Sequence, residues 1–258
     1  MKFTVITVCK NSEKTVENTV LSVISQSYKD LEYIIVDGAS DDNTLNILDK
    51  YRDKLAKVIS EPDNGLYDAM NKGIKASSGD YLFFLNSDDT FLHDNILELV
   101  AEKIKNGNEL PELVYGDIAV LNKETGKLSL QKHSKFNKIY LMKNTPCQPG
   151  TFYNREVFDK YGYFDTDYKI VSDHEWFLRA FLKHGLYRNP DKVKYTGFPI
   201  TIFNIGGIST SESRESKLTC ERNDMLDKYF TKKERNLYEF LSKYLRTLST
   251  FPCIKKFF

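Results

Sequence analysis

Over the first ninety residues, short runs of β-branched and aromatic residues alternate with segments whose apolar residues recur at helical spacing. The runs predict strands at 3–8, 32–36, 57–60 and 81–85. The first intervening segment predicts a helix capped by Ser12, with apolar positions at Val16, Val20, Val23 and Ile24. Further helices are predicted at 42–54 and 66–76. Because strands and helices alternate, we predict a parallel, doubly wound α/β sheet that binds ligands at the carboxyl ends of its strands.

The pattern becomes less regular after residue 89. It predicts a helix at 93–105, a hairpin of strands at 113–121 and 127–131, helices at 154–161 and 173–184, and a late strand at 197–203. One or two amphipathic helices are predicted over 214–248. The sequence contains no internal repeat and no low-complexity linker, which favours one compact domain over 1–213 and a helical tail over 214–258.

The charges of the 258 residues nearly cancel, with 37 Lys and Arg against 36 Asp and Glu. This balance gives no indication of a nucleic-acid binder, which would be expected to carry a strongly basic face. The tail differs, because its eleven basic and six acidic residues give it a net charge of +5. A basic, aromatic tail favours contact with an anionic membrane surface, although a helix packed on the domain or on a second subunit explains the same pattern.

The four cysteines are scattered and show no zinc-ligand spacing. They indicate reduced thiols in a cytosolic protein. The chain opens on a strand, without the charged leader and apolar stretch of a signal peptide, and no apolar run reaches the length of a membrane span. We therefore expect a cytoplasmic protein, either free or bound to the inner face of the membrane.

Polar residues follow each of the four predicted strands, in the segments 7–11, 37–42, 61–65 and 86–89. In a doubly wound sheet these segments share one rim. Carboxylates crowded at that rim repel each other unless a cation lies between them. The sequence therefore predicts a ligand site that includes a cation.

The segment richest in candidate ligands is Asn86-Ser87-Asp88-Asp89. Two adjacent carboxylates after an apolar strand offer hard oxygen ligands to Mg²⁺ or Mn²⁺, while phosphates complete the coordination shell. Taken alone, Ser-Asp-Asp also suits a helix cap, and Asp37 suits a turn before Gly38. Their joint occurrence at one rim favours the metal site.

The motifs around these residues resemble a known family. In order they read FTVITVCKN, IIVDGASDDNT, EPDNGLYDAMNKGI and GDYLFFLNSDD, and they resemble the family 2 glycosyltransferases of the GT-A fold. The segments CQPGTFYNREVF, VSDHEWFLRA and GGIS extend the resemblance to about Ser209. The GLYDAMNKGI segment is most similar to bacterial enzymes of O-antigen, capsule and exopolysaccharide synthesis. On this resemblance, 1–90 is the nucleotide-binding half and 91–213 the acceptor half.

The resemblance implies roles for the residues on the donor side. Thr7 and Cys9 would flank the nucleotide base. Asp37 would hydrogen-bond the base or the ribose, and Asp88 would lie near the ribose and the sugar. The helix start that borders the donor would contribute Asn64, Gly65, Tyr67, Asn71 and Lys72.

The resemblance also implies the metal site. Asp89 would be the ligand of Mn²⁺ or Mg²⁺. Asn86 stands where a strict DxD motif has its first aspartate, so the first position is neutral in this chain.

On the acceptor side, Asp173 matches the family's catalytic base, with Ser172 in place of the usual glutamate before it. The alternative interpretation of Asp173 is an acidic residue that stabilises a helix N-terminus, and Glu175 is a second candidate for the base. Gln148 stands where many relatives carry a histidine that contacts the acceptor. His174 and Trp176 would either contact the acceptor or pack in the core.

The function implied is inverting transfer of a hexose from a UDP-sugar donor to a saccharide acceptor, lipid-linked or soluble, in bacterial surface polysaccharide synthesis. Two rival functions use a similar sheet. A nucleotidyltransferase would usually show a Gly-rich basic loop after the first strand, and 8–11 contains no glycine. A non-catalytic protein that binds nucleotide sugars would not need Asp37, Asp88, Asp89 and Asp173 together. A homodimer through the tail is a further expectation.

Overall fold

The computed structural model of the chain describes residues 1–107, 109–132, 138–205 and 212–248. Its strands are β1 Phe3–Cys9, β2 Leu31–Asp37, β3 Lys57–Ser60, β4 Tyr81–Phe84, β5 Thr90–Phe91, β6 Leu113–Asn122, β7 Leu128–Gln131, β8 Thr151–Asn154 and β9 Val193–Ile205. Its helices are α1 Val16–Ile24, α2 Thr44–Asp49, α3 Leu66–Ala76, α4 Ile96–Lys105, α5 Lys138–Lys143, α6 Glu156–Tyr161, α7 Ser172–Leu178, α8 Glu212–Tyr229 and α9 Lys232–Leu248.

The described strands form one sheet in the order β3-β2-β1-β4-β8-β6-β9-β5, with β7 paired to β6. The first four strands are parallel, as the alternating pattern predicts. β8 runs antiparallel to both β4 and β6, whereas β6 and β9 are parallel. The predicted α/β fold is confirmed, and the second half of the chain extends the parallel sheet into a mixed one.

The first half follows the predicted elements closely, with two differences. The helix predicted at 42–54 is the short α2 followed by a separate 3₁₀ turn at Arg52–Lys54. The predicted cap at Ser12 is wrong, because Thr15 is the N-cap residue of α1 and makes no side-chain cap bond. The Ser12 carbonyl instead accepts the N–H groups of Thr15 and Val16. Its hydroxyl lies 2.9 Å from the Ser87 hydroxyl, which links two loops of the rim.

The second half contains a strand that the sequence pattern did not predict. β8 occupies part of a segment where a helix was expected from residue 154, and the helix α6 begins only at Glu156. The helix predicted at 173–184 is α7, followed by a π-helical turn at Arg179–Lys183. The predicted hairpin is confirmed by the antiparallel pair of β6 and β7. The GGIS segment and the last ten residues lie outside the described part of the chain.

The sheet separates two apolar clusters, as expected for a sheet that is buried on both faces. Along β1 the side chains of Ile6 and Val8 enter one cluster, and those of Phe3, Val5 and Cys9 enter the other. Burial of both faces explains why the residues of β1, β2 and β4 are mostly apolar until they reach the rim.

Helix α3 packs very close to β1. A Cβ atom added at Gly73 would lie 2.5 Å from the Ile6 side chain, so only glycine allows this approach. The close packing holds the N-terminal end of α3 at the carboxyl rim of the sheet.

The first helix of the predicted tail packs on the domain. Met225, Leu226 and Phe230 are buried in the same apolar cluster as α3 and α7. Glu221 accepts the backbone N–H groups of Lys169 and Ile170, at 3.0 and 2.8 Å. For α8, these contacts favour packing on the domain over contact with a membrane.

Helix α9 packs Tyr238 against the same apolar cluster and keeps another apolar residue, Leu237, 58% exposed. It is tied to the rest of the structure near its start, where Glu234 pairs with Lys138 and Arg235 pairs with Asp227. None of the helices in the described ranges combines the length and apolar character that a membrane-spanning segment needs.

Candidate active site

The carboxyl ends of β1, β2 and β4 and the loops that follow them form one rim, as predicted. The loops after β1 and β2 are tied together, because the Asn11 N–H donates to the Ser40 hydroxyl at 2.8 Å and the Asp41 N–H donates to the Asn11 side chain at 3.0 Å. Asn11 and Ala39 adopt left-handed backbone conformations, with φ of 52° and 55°. Such conformations cost about 1–3 kcal/mol each and concentrate at functional sites.

Asp37 is fully buried at the centre of this rim and accepts four hydrogen bonds from its own chain. The Ser40 N–H and the Ser60 hydroxyl donate to Oδ2 at 3.0 and 2.7 Å. The Ser40 hydroxyl and the Cys9 thiol donate to Oδ1. A carboxylate has about four acceptor positions, so a nucleotide base or ribose must replace one of these donors to bind Asp37.

Thr7 and Cys9, predicted beside the base, are both buried. The Thr7 hydroxyl lies 3.0 Å from the Tyr33 hydroxyl inside the fold. Burial, and after it the neighbouring charge of Asp37, raises the pKa of the Cys9 thiol, so Cys9 is a neutral donor rather than a nucleophile. Their contact with a base stays a prediction.

The Asp88-Asp89 pair follows β4, as predicted. Asp89 is fully buried, while Asp88 is partly exposed. The Asp89 carboxylate accepts the Asn204 N–H at 3.0 Å and the Asn86 side-chain amide at 3.2 Å. Burial, followed by the charge of Asp88, raises the pKa of Asp89 to about 7. Burial also raises the pKa of Asp88.

Two residues near this pair were not identified from the sequence. Asn204 clamps both carboxyl residues, since its side-chain amide also donates to the Asp88 carbonyl. Lys123, in the turn between β6 and β7, lies near enough for its charge to lower the pKa of both aspartates, though by less than burial raises it. No local motif marks either residue, because strand pairing in the mixed second half of the sheet brings them to the rim.

The residues around Asp89 fit a divalent cation. The Asn86 Oδ1 atom is one of the few buried side-chain polar atoms of the described chain without a hydrogen-bond partner. The side-chain amide of the same residue donates to Asp89, so the neutral Asn86 oxygen lies beside the Asp89 carboxylate. The charge of Asp88 is also near enough to raise the pKa of Asp89. The described residues contain no group of three His, Cys, Asp or Glu side chains that could hold a metal. Mg²⁺ does not need one, because it is commonly held by one or two carboxylates together with substrate phosphates and water.

The residues predicted to border the donor, in the segment 64–72, make contacts within the chain that hold α3 and its neighbouring loops in place. The Asn64 carbonyl accepts a hydrogen bond from Lys169 at 3.0 Å, and Gly65, at φ 117°, starts α3. Asn71 clamps the backbone of Phe164 through both ends of its amide. Lys72 forms an ion pair with Glu61 at 2.9 Å.

Asp173 lies at the start of α7 and is partly buried. The Tyr67 hydroxyl donates to its Oδ1 atom at 2.9 Å. Burial raises the pKa of Asp173, and the Tyr67 hydrogen bond acts in the opposite direction. After burial, the charges of Asp173 and Asp89 both raise the pKa of the Cys147 thiol. The charges of Asp173 and of Asp89 therefore both act on the same thiol.

The other residues predicted on the acceptor side are buried in the structure. Trp176 is fully buried in an aromatic cluster, and its indole donates to the Gly162 carbonyl at 2.8 Å. His174 Nε2 lies 2.6 Å from the Leu141 carbonyl, and burial lowers its pKa to about 4. Both residues pack inside the fold, and their contact with an acceptor stays a prediction.

Glu175 points away from Asp173. It forms an ion pair with Arg179 at 2.9 Å and accepts a hydrogen bond from Tyr229 of α8. Gln148 is buried, with its amide 3.7 Å from the Met70 sulfur. Contacts of Glu175 and Gln148 with an acceptor stay predictions.

Comparison with known proteins identifies the family. The model of the glycosyl transferase family 2 domain matches residues 4–162, which cover the four parallel strands, the Asp88-Asp89 pair and β8. The chain belongs to glycosyl transferase family 2. The predicted resemblance and the predicted GT-A fold are thereby confirmed, and the chain is a glycosyltransferase.

Curated relatives agree with this assignment. The chain is 29% identical over 197 residues to the PGL/p-HBAD biosynthesis glycosyltransferase of Mycobacterium bovis. The aligned region covers 74% of this chain and 72% of that protein. It is 32% identical over 182 residues to an uncharacterized glycosyltransferase of Mycobacterium tuberculosis. That alignment covers 69% of this chain and 68% of that protein.

Solved structures share the fold at low identity. S. aureus TarS in complex with UDP-GlcNAc superposes with a TM-score of 0.63 and 20% identity, over 79% of this chain and 58% of that chain. The mannosyltransferase PcManGT of Pyrobaculum calidifontis, in complex with GDP-Man and Mn²⁺, superposes with a TM-score of 0.55 and 16% identity, over 86% of this chain and 60% of that chain. This chain therefore spans about 60% of the length of both solved chains.

Proposed function

We propose that the protein is a metal-dependent, inverting glycosyltransferase of family 2 that transfers a hexose from a UDP-sugar to a saccharide acceptor. The observation that supports this most directly is that the chain carries two separate carboxylate sites, the Asp88-Asp89 pair after β4 and Asp173 at the start of α7. Asp89 is buried and accepts the Asn86 side-chain amide, whereas Asp173 accepts the Tyr67 hydroxyl of α3. A metal-binding pair and a separate base are the two parts that such a reaction needs.

The first part is the metal. Asp89, Asp88 and the unpartnered Asn86 oxygen would hold Mn²⁺ or Mg²⁺, which supplies positive charge for the diphosphate that leaves. Asn204 keeps the Asp89 carboxylate in place from the side of β9. The mutual repulsion of the two carboxylates disappears when they share a cation.

The second part is the base. Asp173 would remove the proton of the acceptor hydroxyl as its oxygen attacks the anomeric carbon. Attack opposite the leaving diphosphate inverts the configuration, so an α-linked donor yields a β-linked product. No covalent enzyme intermediate is required, and the raised pKa of the Cys147 thiol agrees with this, because a neutral thiol is a poor nucleophile.

The donor that we propose is a UDP-hexose, glucose or galactose with or without an N-acetyl group. The fold neighbour TarS was solved with UDP-GlcNAc, whereas PcManGT was solved with GDP-Man. Asp37 would contact the base or the ribose after one of its serine donors moves aside. A change in UDP affinity in Asp37→Asn, measured by calorimetry, tests that contact.

The function is tested by donor hydrolysis. The purified chain with Mn²⁺ should release UDP slowly from UDP-glucose or UDP-GlcNAc without an acceptor, because water replaces the acceptor hydroxyl. GDP- and dTDP-sugars serve as matched controls for the nucleotide. Release from a GDP-sugar alone would contradict the UDP donor, and release from none of them in the presence of Mn²⁺ would contradict the proposed reaction.

The acceptor that we propose is a lipid-linked saccharide at the inner face of the bacterial membrane, in surface polysaccharide synthesis. The curated relative in Mycobacterium bovis is described by its part in PGL/p-HBAD biosynthesis. Within this chain, α9 is the described element that suits a membrane surface, because Lys232 and Lys233 are exposed near its start and Leu237 follows one turn later.

If α9 contacts the membrane, the chain should sediment with anionic phosphatidylserine vesicles at low salt and be released as salt rises. Leu237→Ser should weaken this binding. Leu110→Ser is the matched control, because Leu110 is 61% exposed on the domain itself and Leu237 is 58% exposed. Failure to sediment at any salt concentration would instead favour packing of α9 on the domain or on a second copy, and sedimentation velocity would show the second copy.

A further inference from the structure

The Tyr67 hydroxyl lies between two acceptors and has one proton. It is 2.8 Å from the Ile170 carbonyl oxygen and 2.9 Å from the Asp173 Oδ1 atom. A phenol donates a single hydrogen bond, so Tyr67 can satisfy only one of these acceptors at a time. Which acceptor receives the bond depends on the charge of Asp173.

The position of the Tyr67 hydroxyl is fixed from several sides. The Tyr67 side chain is 5% exposed, and its ring packs against Phe164 with centroids 5.7 Å apart. The backbone of Ile170 is held in turn, because the Ile170 N–H donates to Glu221 of α8 at 2.8 Å. The hydroxyl therefore meets both acceptors without rearrangement of the backbone.

We propose that Tyr67 is a positioning residue for Asp173, and not a donor-binding residue as its place in the sequence motif implies. The inference rests on the proposed role of Asp173 as the base. While Asp173 is ionised, Tyr67 donates to it, because a hydrogen bond to a charged acceptor is stronger than one to a neutral carbonyl. When Asp173 takes the proton of the acceptor hydroxyl, it becomes a weaker hydrogen-bond acceptor, and the Tyr67 proton turns to the Ile170 carbonyl.

This exchange balances without a further reactant. One proton moves from the acceptor oxygen to a carboxylate oxygen of Asp173, and the Tyr67 proton only rotates about the C–O bond. Tyr67 keeps its own proton throughout, because burial, followed by the charge of Asp173, raises its pKa well above the ordinary value for a tyrosine.

Two further titratable groups, Tyr153 and Cys147, lie near enough for the charge of Asp173 to act on them, and both stay neutral over the working range of pH. Burial raises the pKa of Tyr153 and of Cys147, and the charge of Asp173 adds to both shifts. Glu221 faces Tyr67 from α8 and contributes a smaller shift there. A change in the titration of Asp173 after substitution of Tyr67 would therefore report the loss of this hydrogen bond.

The experiment is a carbon-13 titration of the full-length chain labelled at the aspartate carboxyl carbons. Asp173→Asn assigns the Asp173 signal, because that signal disappears. In Tyr67→Phe the titration midpoint of Asp173 should rise by roughly one pH unit, the size expected for losing one charge-assisted hydrogen bond. The matched control is Tyr168→Phe, which removes a hydrogen bond of 2.7 Å from another buried tyrosine, to Asp224 instead of Asp173. It should leave the midpoint unchanged.

Calorimetric titration with UDP in the presence of Mn²⁺ separates the two roles of Tyr67. A raised midpoint with unchanged UDP affinity supports the positioning role. The positioning role is overturned if the midpoint is unchanged, or if Tyr67→Phe loses as much UDP affinity as the removal of a donor contact would cost. The proposed function can fail separately. It fails if Asp173→Asn releases UDP from the donor at the rate of the unchanged chain, even though Tyr67→Phe has raised the titration midpoint of Asp173.

Discussion

Asp89→Ala is expected to reduce transfer by roughly 10³-fold, the upper end of the range seen when a group that stabilises developing charge is removed. Asp89 is fully buried at the rim, and its carboxylate accepts hydrogen bonds from Asn204 and Asn86 that fix its position. EDTA should abolish activity of the unchanged chain, and Mn²⁺ or Mg²⁺ should restore it. Full activity of Asp89→Ala in EDTA would contradict the metal site.

The pH dependence of metal binding follows from the pKa of Asp89. Burial and the charge of Asp88 raise this pKa to about 7, above its ordinary value near 3.9 in an unfolded chain. The folded state therefore favours the protonated form, and the stability of the metal-free protein should fall as pH rises through about 4 to 7. Mn²⁺ binds the ionised form, so it should raise the melting temperature more at pH 8 than at pH 6.

Glu32→Gln is the matched control, because Glu32 lies at the opposite, amino end of the same parallel strands. Burial acts to raise its pKa, but hydrogen bonds from Thr4 and Ser78 outweigh burial and lower the pKa to about 2. Glu32 therefore contributes stability above its unfolded pKa. The substitution should lower the melting temperature at pH 7 and leave the Mn²⁺ requirement intact. The sheet therefore stabilises the charge of Glu32 at the amino ends of its strands. It leaves the charge of Asp89 uncompensated at the carboxyl rim, where we propose the active site.

The first half of the fold could be predicted because its strands are apolar on both faces and its polar residues begin where each strand ends. The segment at 66–76 also carries helical periodicity, and α3 occupies those residues. The strand β8 could not be predicted in the same way. Its four residues are too few to show a period, and its place between β4 and β6 depends on pairing with strands distant in the sequence.

The residues of α7 show why a motif does not settle the role of each position. Successive residues of a helix point about 100° apart, so Asp173 and Glu175 face different neighbours. Asp173 meets Tyr67 of α3, whereas Glu175 meets Tyr229 of α8. The sequence predicted a helix with several polar residues here, but it could not show that α8 covers one face and α3 the other. The faces that α3 and α8 cover are set by packing between segments distant in the sequence.

Asp173→Asn should lower turnover by roughly 10²–10⁴-fold, the usual contribution of a positioned general base. The amide keeps the shape of the side chain and loses its basicity, so UDP affinity should not change. Because burial raises the pKa of Asp173, the ionised carboxylate destabilises the folded state, and the amide should leave the melting temperature at pH 8 unchanged or higher. Turnover of a saccharide acceptor, UDP calorimetry and thermal unfolding measure these three quantities.

Glu175→Gln is the matched comparison, two residues along the same helix, and it should show the opposite pattern. Glu175 is 5% exposed and pairs with Arg179 at 2.9 Å, so removing its charge leaves a partly buried guanidinium without its anion. The melting temperature should therefore fall, while turnover per folded molecule stays within a few-fold of the unchanged chain. If Glu175→Gln is inactive and Asp173→Asn turns over normally, the base is Glu175. If both turn over normally, displacement assisted by a carboxylate of α7 is not the mechanism.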